Sequence, residues 1–307
     1  MATKNSRQLN NFELVEHFLK YALEYELNKS NYSIVPKIVT TELNIDNFDE
    51  KQITLQSRSY RNFYHRTDKE RITLWNKIVA DLITKKRLDS DEKIRLGRGG
   101  ALPNTDIKQS KSAYIIIGLP ASGKSTIANE IADEKGAIIL DADYAKRKLP
   151  EFNSLPFGAT LVHDESDAII FSPPQDNKFS SLFHLATKFN LNVVVPKIGN
   201  NFESIVKLAK TFKHYEYKVH VTLVELDRKK ATIRALDRFV TTDRYVPLSL
   251  IFDSYSNNPT ISYYKLKSYY SAHFDSFGVL STDVPKGQSP KCIESTSRSN
   301  PSNIFPR

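Results

Sequence analysis

Residues 118–126 read Gly-Leu-Pro-Ala-Ser-Gly-Lys-Ser-Thr (GLPASGKST), directly after the apolar run YIII and directly before the helix-prone run IANEIADEK. Every fixed position fits G-x-x-x-x-G-K-[ST]. A buried strand, a glycine-bearing turn and a helix N-terminus together make a nest of backbone N–H groups for anionic oxygens. In that pattern Gly118, Ala121, Ser122, Gly123, Lys124, Ser125 and Thr126 form the phosphate loop. Lys124 reaches the β- and γ-phosphates, and the Ser125 hydroxyl is the metal ligand, for Mg²⁺. Gly118 and Gly123 take backbone conformations that a Cβ would block. The loop says nucleotide. It leaves open whether the γ-phosphate goes to water or to another molecule.

Working outward, short apolar runs alternate with helical stretches. SAYIIIG, AIILDAD, LNVVVPKIG and YKVHVTLVEL read as strands. Strand and helix in that rhythm predict a parallel sheet covered on both faces, an α/β P-loop kinase fold. The sequence predicts a mainly α-helical N-terminal region ahead of it, residues 1–96. One helix there runs through Phe12, Val15, Phe18, Leu19, Ala22 and Leu27, and another spans about residues 67–86. Residues 33–52 show no clear period and read as loop with short elements. Residues 97–112, with three glycines and small polar residues, read as a linker. The kinase domain then covers 113–284, and residues 285–307, rich in Ser, Pro and Asn, read as a flexible tail.

The chain has 307 residues, a net charge of +9 and a single cysteine, Cys292. An internal disulfide and a cysteine zinc cluster are excluded, which suits a reducing compartment. No apolar run approaches a membrane span and no signal core is visible. A cytoplasmic protein is expected, with export as an effector left open and no membrane partner. The positive charge favours anionic ligands.

The second strand ends in ILDADYAKRKLPEF, which puts Asp141 and Asp143 at the strand edge where ligands bind in open α/β sheets. A carboxylate there can accept a proton from an attacking hydroxyl. Asp143 is the candidate base, and Asp141 is the structural or metal-assisting one. In KATIRALDRFVTTDRYVP, Arg234 and Arg238 share a helix face and Arg244 follows in a loop, placed to neutralise transferring phosphate. GATLVHDESDAII supplies His163, Glu165 and Ser166 as polar contacts to an acceptor. His163 and Asp167 at i,i+4 lack the further ligands a metal site needs. Neither Asn-Lys-x-Asp nor an apolar strand ending in Asp-x-x-Gly is present, which argues against a GTPase. A polynucleotide 5′-hydroxyl kinase remains an alternative, but no basic strip interleaved with aromatics supports nucleic acid as partner. A nucleotide-binding effector without transfer chemistry is a further alternative.

Four blocks, GLPASGKST, ILDADYAKRKLPEF, GATLVHDESDAI and RALDRFVTTDRYVP, resemble the zeta toxin family of small-molecule kinases in order and spacing over about residues 112–255. The resemblance implies ATP and Mg²⁺ as cofactors and the 3′-hydroxyl of UDP-N-acetylglucosamine as acceptor. It assigns Lys124 and Ser125 to nucleotide and metal, Asp143 to base, Arg238 and Arg244 to the ATP phosphates, and His163, Glu165 and Ser166 to the acceptor's surroundings. It also implies an antitoxin partner, or an N-terminal region that inhibits in cis or shapes the acceptor site. One departure stands out. Many relatives end the third strand on an acidic residue followed by Gly and Thr, whereas this strand reads VVVPKIGNN, with Pro196 and Lys197 there. Lys197 suits a more phosphorylated acceptor. Relatives among plant-pathogen effectors are similar kinases acting on the adenosine ribose of NAD.

Overall fold

The computed structural model describes residues 7–46, 53–153, 158–175, 178–285 and 287–307. Its centre is a mixed sheet of six strands in the order β2-β3-β1-β4-β5-β6. The strands are β1 (Ser112–Gly118), β2 (Ala137–Ile139), β3 (Asn192–Lys197), β4 (Lys218–Glu225), β5 (Ser276–Ser281) and β6 (Lys291–Ser295). The first five are parallel and β6 runs antiparallel to β5. β1 is buried along its whole length, as expected for a central strand with both faces covered. Because the chain leaves β1 for one side of the sheet and later crosses to the other, the crevice for ligand lies at the C-terminal end of β1.

The helices that close the strand crossovers are α4 (Lys124–Lys135), α5 (Ala142–Lys146), α6 (Gly158–Leu161), α7 (His163–Phe171), α8 (Leu182–Lys188), α9 (Phe202–His214), α10 (Arg228–Thr242) and α11 (Asn258–Tyr269). Ahead of them stand α1 (Phe12–His17), α2 (Ile34–Asp46) and α3 (Asp68–Thr84). α3 starts at a capping box between Thr67 and Glu70. α2 occupies residues expected to be loop. Its Pro36 sits in the first helical turn, where the missing N–H has no intrahelical acceptor to lose, so the helix tolerates it. Valines, isoleucines and threonines hide its period, yet Ile34, Val35, Ile38 and Val39 all fall on one buried face.

The N-terminal region does not stand apart from the sheet. Leu74, Trp75, Ile78, Val79 and Leu82 of α3 share one continuous core with β1, β3 and α4. The buried residues of α1 and α2 pack with Leu119 of the phosphate loop and with Ala231, Ala235, Leu236 and Phe239 of α10.

Residues 97–112 differ from the expected linker, for two reasons. The Lys148 ammonium, fully enclosed, donates to the carbonyls of Gly99 (2.6 Å), Arg95 and Arg98 (3.1 and 3.2 Å) and to Asp81 Oδ2 (3.1 Å), so the glycine turn wraps it. A Cβ on Gly100 would lie 2.0 Å from the Lys85 carbonyl oxygen, so glycine here answers a close backbone approach.

The expected flexible tail supplies β6 instead. Asn300, fully buried, donates to the Val221 carbonyl (3.2 Å) and to Ser276 Oγ (3.0 Å) and accepts from Thr222 Oγ1 (3.2 Å), which pins the tail across β4 and β5. Composition was a poor guide because serine and asparagine here serve buried hydrogen bonds.

The role of α3 in the core is testable by cavity creation. Ile78→Ala removes a fully buried side chain and should lower unfolding free energy by about 2–5 kcal/mol in urea denaturation. A loss below about 1 kcal/mol would mean that α3 is peripheral.

Candidate active site

The phosphate loop joins β1 to α4 in the manner its sequence requires. Ala121 and Gly123 have φ of +60° and +89°. A Cβ on Gly118 would meet the Val224 carbonyl oxygen at 2.6 Å. No side chain caps α4, whose N-cap is Gly123, so its first-turn N–H groups remain for an anion. The Ser122 hydroxyl is buried with no partner among the described residues. The loop is braced from behind by Thr282, whose Oγ1 donates to the Ser122 carbonyl at 2.8 Å.

The Lys124 ammonium turns back onto its own loop, donating to the Gly118 and Leu119 carbonyls at 2.7 and 2.5 Å. Burial pushes it down to about 7, and the carboxylates of Asp141 and Asp143 pull the other way. Ser125 and Thr126 are exposed beside it.

Asp141 is the N-cap of α5. Its carboxylate accepts from the Asp143 N–H at 2.9 Å, which fixes the first turn and aims Asp143 outward. The Asp143 carboxylate is held on both sides, with Lys146 Nζ 3.0 Å from Oδ1 and Arg244 Nη2 2.9 Å from Oδ2. Burial alone would raise its pKa, but Lys146, Arg244 and Arg147 hold it well below the usual carboxylate range. Asp141 moves the opposite way, raised by burial and by the charge of Asp143. Two carboxylates two residues apart thus take different protonation behaviour from their surroundings.

Arg238 on α10 and Arg244 just beyond it converge on the same place. Arg238 is lowered first by burial and then by Arg244, with Asp143 opposing. Its Nε is buried without a partner among the described residues. Arg234, on the same helix, instead donates to the Thr282 carbonyl at 2.8 Å and braces the loop after β5.

The acceptor block is divided by the structure. His163 is exposed at the start of α7, its Nδ1 3.5 Å from Lys146 Nζ, which borders Asp143. Glu165 and Ser166 point into the core and are not available to a substrate. Glu165 accepts from Arg71 at 2.5 and 2.6 Å, from Trp75 Nε1 at 2.5 Å and from Thr54, while Arg71 also reaches Glu151 at 2.8 and 3.1 Å. Ser166 Oγ donates to the His163 carbonyl at 2.6 Å. Sequence alone could not separate these roles. A helix of nine residues carries both faces, and only packing against α3 decides which is inside. Lys197 ends β3 with its ammonium 3.6 Å from Asp167 Oδ1 and 4.0 Å from the centre of the Phe171 ring.

Three further residues belong to this neighbourhood; Lys146 and Arg147 stand inside the block ILDADYAKRKLPEF, which gave them no role. Lys146 and Arg147 follow Asp143 along α5, and Asp91 comes from the turn before the glycine stretch. The Asp91 carboxylate is raised by burial, with the charges of Arg147 and Arg244 opposing. An open groove of about 620 Å³ beside α9 and Tyr270 contains none of the residues above. We place the site at the phosphate loop because charge and loop geometry converge there, whereas that groove is open and mostly apolar. Among the described residues no cluster of three or more His, Cys, Asp or Glu could hold a metal by itself.

The zeta toxin family model matches residues 101–271, more than half of the chain. The chain belongs to the zeta toxin family. Among solved structures, this zeta toxin-family chain resembles one from the PezAT chromosomal toxin–antitoxin system of Streptococcus pneumoniae. The two are 14% identical, with a TM-score of 0.53 over 78% of this chain and 87% of that one. Weaker likenesses are to the AvrRxo1-ORF1:-ORF2 complex (14% identity, TM-score 0.46, 82% and 72% covered) and a gluconokinase from Sinorhizobium meliloti (13%, 0.32, 58% and 86%). No curated protein sequence matches the chain. Among the described residues, no helix is long and apolar enough to cross a membrane.

Two outcomes are expected of this zeta toxin-family site. Glu165→Gln should cost about 3 kcal/mol of stability in urea denaturation, because it leaves a buried Arg71 short of charge, while the folded fraction keeps its affinity for ATP. A loss of ligand affinity at unchanged stability would return Glu165 to the binding surface. The second concerns Lys124, whose pKa in the free protein is lowered to about 7. A bound triphosphate would raise it, so binding takes up a proton above pH 7 and affinity falls as pH rises from 7 to 9. Calorimetry in buffers of different ionisation enthalpy reads that uptake. Lys124→Arg should abolish the pH dependence, and a flat profile in the parent chain would contradict the lowered value.

Proposed function

We infer that the chain is a kinase that transfers the γ-phosphate of ATP to a sugar hydroxyl of a nucleotide metabolite. UDP-N-acetylglucosamine, through its 3′-hydroxyl, is the first acceptor to test, and the adenosine ribose of NAD is the second. The observation that carries this reading is the position of Asp143. Its carboxylate stands where the Lys124 ammonium feels its charge, between two cations that can leave it for phosphate.

The residues fit the donor and its metal. The first-turn N–H groups of α4, the unpartnered Ser122 hydroxyl and Lys124 would hold the phosphates. Ser125 would take Mg²⁺ directly and Asp141 through water. When bound, the metal supplies neutralisation of charge on the β- and γ-oxygens.

The chain's own groups then act as follows. Asp143 accepts a hydrogen bond from the acceptor hydroxyl and orients its oxygen toward the γ-phosphorus. The new O–P bond forms as the bond from the γ-phosphorus to the β-γ bridging oxygen breaks, ADP leaves, and the hydroxyl proton passes to Asp143. In the free protein Asp143 is a weak base because Arg244 and Lys146 clamp it. Movement of Arg244 onto transferring phosphate would restore basicity when the donor is in place. Proton transfer late in a loose transition state suits such a group. Arg238 and Arg244 stabilise the charge that develops.

The N-terminal region is part of this reading. The turn carrying Asp91 and Glu92 reaches the cations around Asp143. It would shape the acceptor side in cis. An antitoxin that covers the site remains a proposal drawn from the family, and action in the cytoplasm, where both acceptors occur, is proposed with it.

Asp143→Asn tests the assignment. Phosphate transfer from labelled ATP to the acceptor, followed by mass spectrometry, should fall by about 10²–10⁴-fold while ATP affinity is retained. Undiminished transfer, or absence of any phosphorylated product from either acceptor in the parent chain, counts against it.

A further inference from the structure

α9 and α11 present to solvent a face that the fold does not use. On α9, Glu203, Lys207, Lys210 and His214 recur at i, i+4, i+7 and i+11 and are all exposed, so they form one stripe along the helix. On α11, Ile261, Tyr264, Lys265, Ser268 and Tyr269 form another, at i, i+3, i+4, i+7 and i+8. The inner side of α11 buries Pro259, Ser262, Tyr263 and Leu266. That face is enough to seat a surface helix, whose outer side is ordinarily polar. Here Ile261, Tyr264 and Tyr269 are 49%, 52% and 78% exposed on the outer side. Three large apolar side chains in one row make a patch, unlike the scattered exposure normal for a surface.

A groove runs between the two helices. Its wider part, about 620 Å³, is walled by Phe202, Val206, Tyr215 and Tyr270 together with Lys207, Lys210 and His214. A second part of about 240 Å³ continues it past Phe202 and Glu203 to Ile261 and Lys265. α9 has 13 residues, which is about 20 Å of helix axis. The groove therefore has an apolar floor and the length of a short helix, between three and four turns.

Its charge says what would lie there. Other lysines of these two helices are paired: Lys213 with Asp275 and Lys267 with Glu294, each at 2.6 Å. Lys207, Lys210, His214 and Lys265 form no ion pair among the described residues. Glu203 is the one acid in the lining. Single-stranded nucleic acid would need open aromatic faces for its bases. The Phe202 ring is already packed, with Lys265 Nζ 4.8 Å from its centre and the Tyr270 ring at 5.6 Å, and Val206 and Ile261 give apolar contact without stacking. A second copy of this chain is also a poor occupant, because a net charge of +9 meets itself with repulsion.

We propose that the groove between α9 and α11 is a docking site for an acidic amphipathic helix of a partner protein. The apolar stripe of that helix lies on Phe202, Val206, Ile261 and Tyr264, and its flanking carboxylates meet Lys207, Lys210 and Lys265. None of the residues of the candidate active site lines the groove, so the partner binds without displacing a nucleotide, and the inference does not depend on the kinase reading.

The probe is a fluorescein-labelled peptide of about 14 residues, the length that matches the groove. It carries leucines at i, i+3, i+4 and i+7 and glutamates on the flanking positions, and its binding to the full chain is read by fluorescence anisotropy. The same residues in scrambled order and a labelled oligothymidine serve as comparisons. The helical peptide should bind saturably, with the scrambled one at least tenfold weaker. Lys207→Glu combined with Lys210→Glu should weaken binding at least tenfold, and so should Ile261→Ser combined with Tyr264→Ser. All four side chains are exposed, and Lys207 and Lys210 pair with nothing, so the charge variant should melt with the parent chain and keep its affinity for an ATP analogue. Equal binding of the scrambled peptide would reduce the effect to charge attraction without a groove, and that comparison uses the parent chain alone. Unchanged affinity in both variants would put the peptide elsewhere. Tighter binding of oligothymidine, lost in the charge variant, would make the surface one for nucleic acid. A dimer in sedimentation that the same substitutions dissolve would make it a contact between copies. No binding of the helical peptide would overturn the proposal outright.

Discussion

Positive charge enclosed without enough negative charge is the constraint around which this site is built. Lys124, Lys146, Arg147, Arg238 and Arg244 gather at the C-terminal edge of the sheet, where Asp91, Asp141 and Asp143 answer them. Among the described residues, nitrogens of Arg147 and Arg238 are left buried without acceptors. Burial disfavours the charges of Lys124, Arg147, Arg238, Asp91 and Asp141, and the surrounding fold must hold them there. A polyphosphate bound there, as proposed, would turn the same arrangement from costly to favourable.

That fold is held by the length of β1, buried on both faces, and by two layers of helix that include the N-terminal region. α3 lies in the sheet's own core, while α1 and α2 back α10, the helix that presents Arg238. Lys37 Nζ donates to the Phe239 carbonyl at 3.3 Å, and Tyr245 bonds to Glu42, so both ends of the arginine-bearing segment rest on α2. Position of Arg238 and Arg244 therefore depends on residues two hundred positions earlier in the chain.

The phosphate loop, the strand before it and the helix after it were legible because each demands particular residues: apolar ones for β1, glycine at positive φ, and lysine at the helix start. Asp143 was singled out by its place just past a strand end, and Arg238 and Arg244 by helix spacing and the family resemblance; the structure brings the three together. What sequence could not give was orientation. Glu165 and His163 lie two residues apart on α7, and one faces the core while the other faces the site. The glycine stretch at 97–100 read as flexible because glycine serves freedom and close approach alike. Only the enclosed Lys148 tells them apart. In the tail, Asn300 is an interior hydrogen-bond hub, although asparagine usually marks exposed chain. Arg147 lies inside the block ILDADYAKRKLPEF, yet nothing in that pattern shows that its Nε and Nη2 are buried without a hydrogen-bond partner among the described residues.

Arg71 stitches α3 to Glu151 and Glu165 across 80 and 94 residues of chain. A protease that nicked the backbone between α3 and β1 would therefore leave two fragments still clasped by a buried ion cluster and a shared apolar interior. In its manner of attachment the leading fragment would then behave as a bound subunit, released by denaturant rather than by dilution.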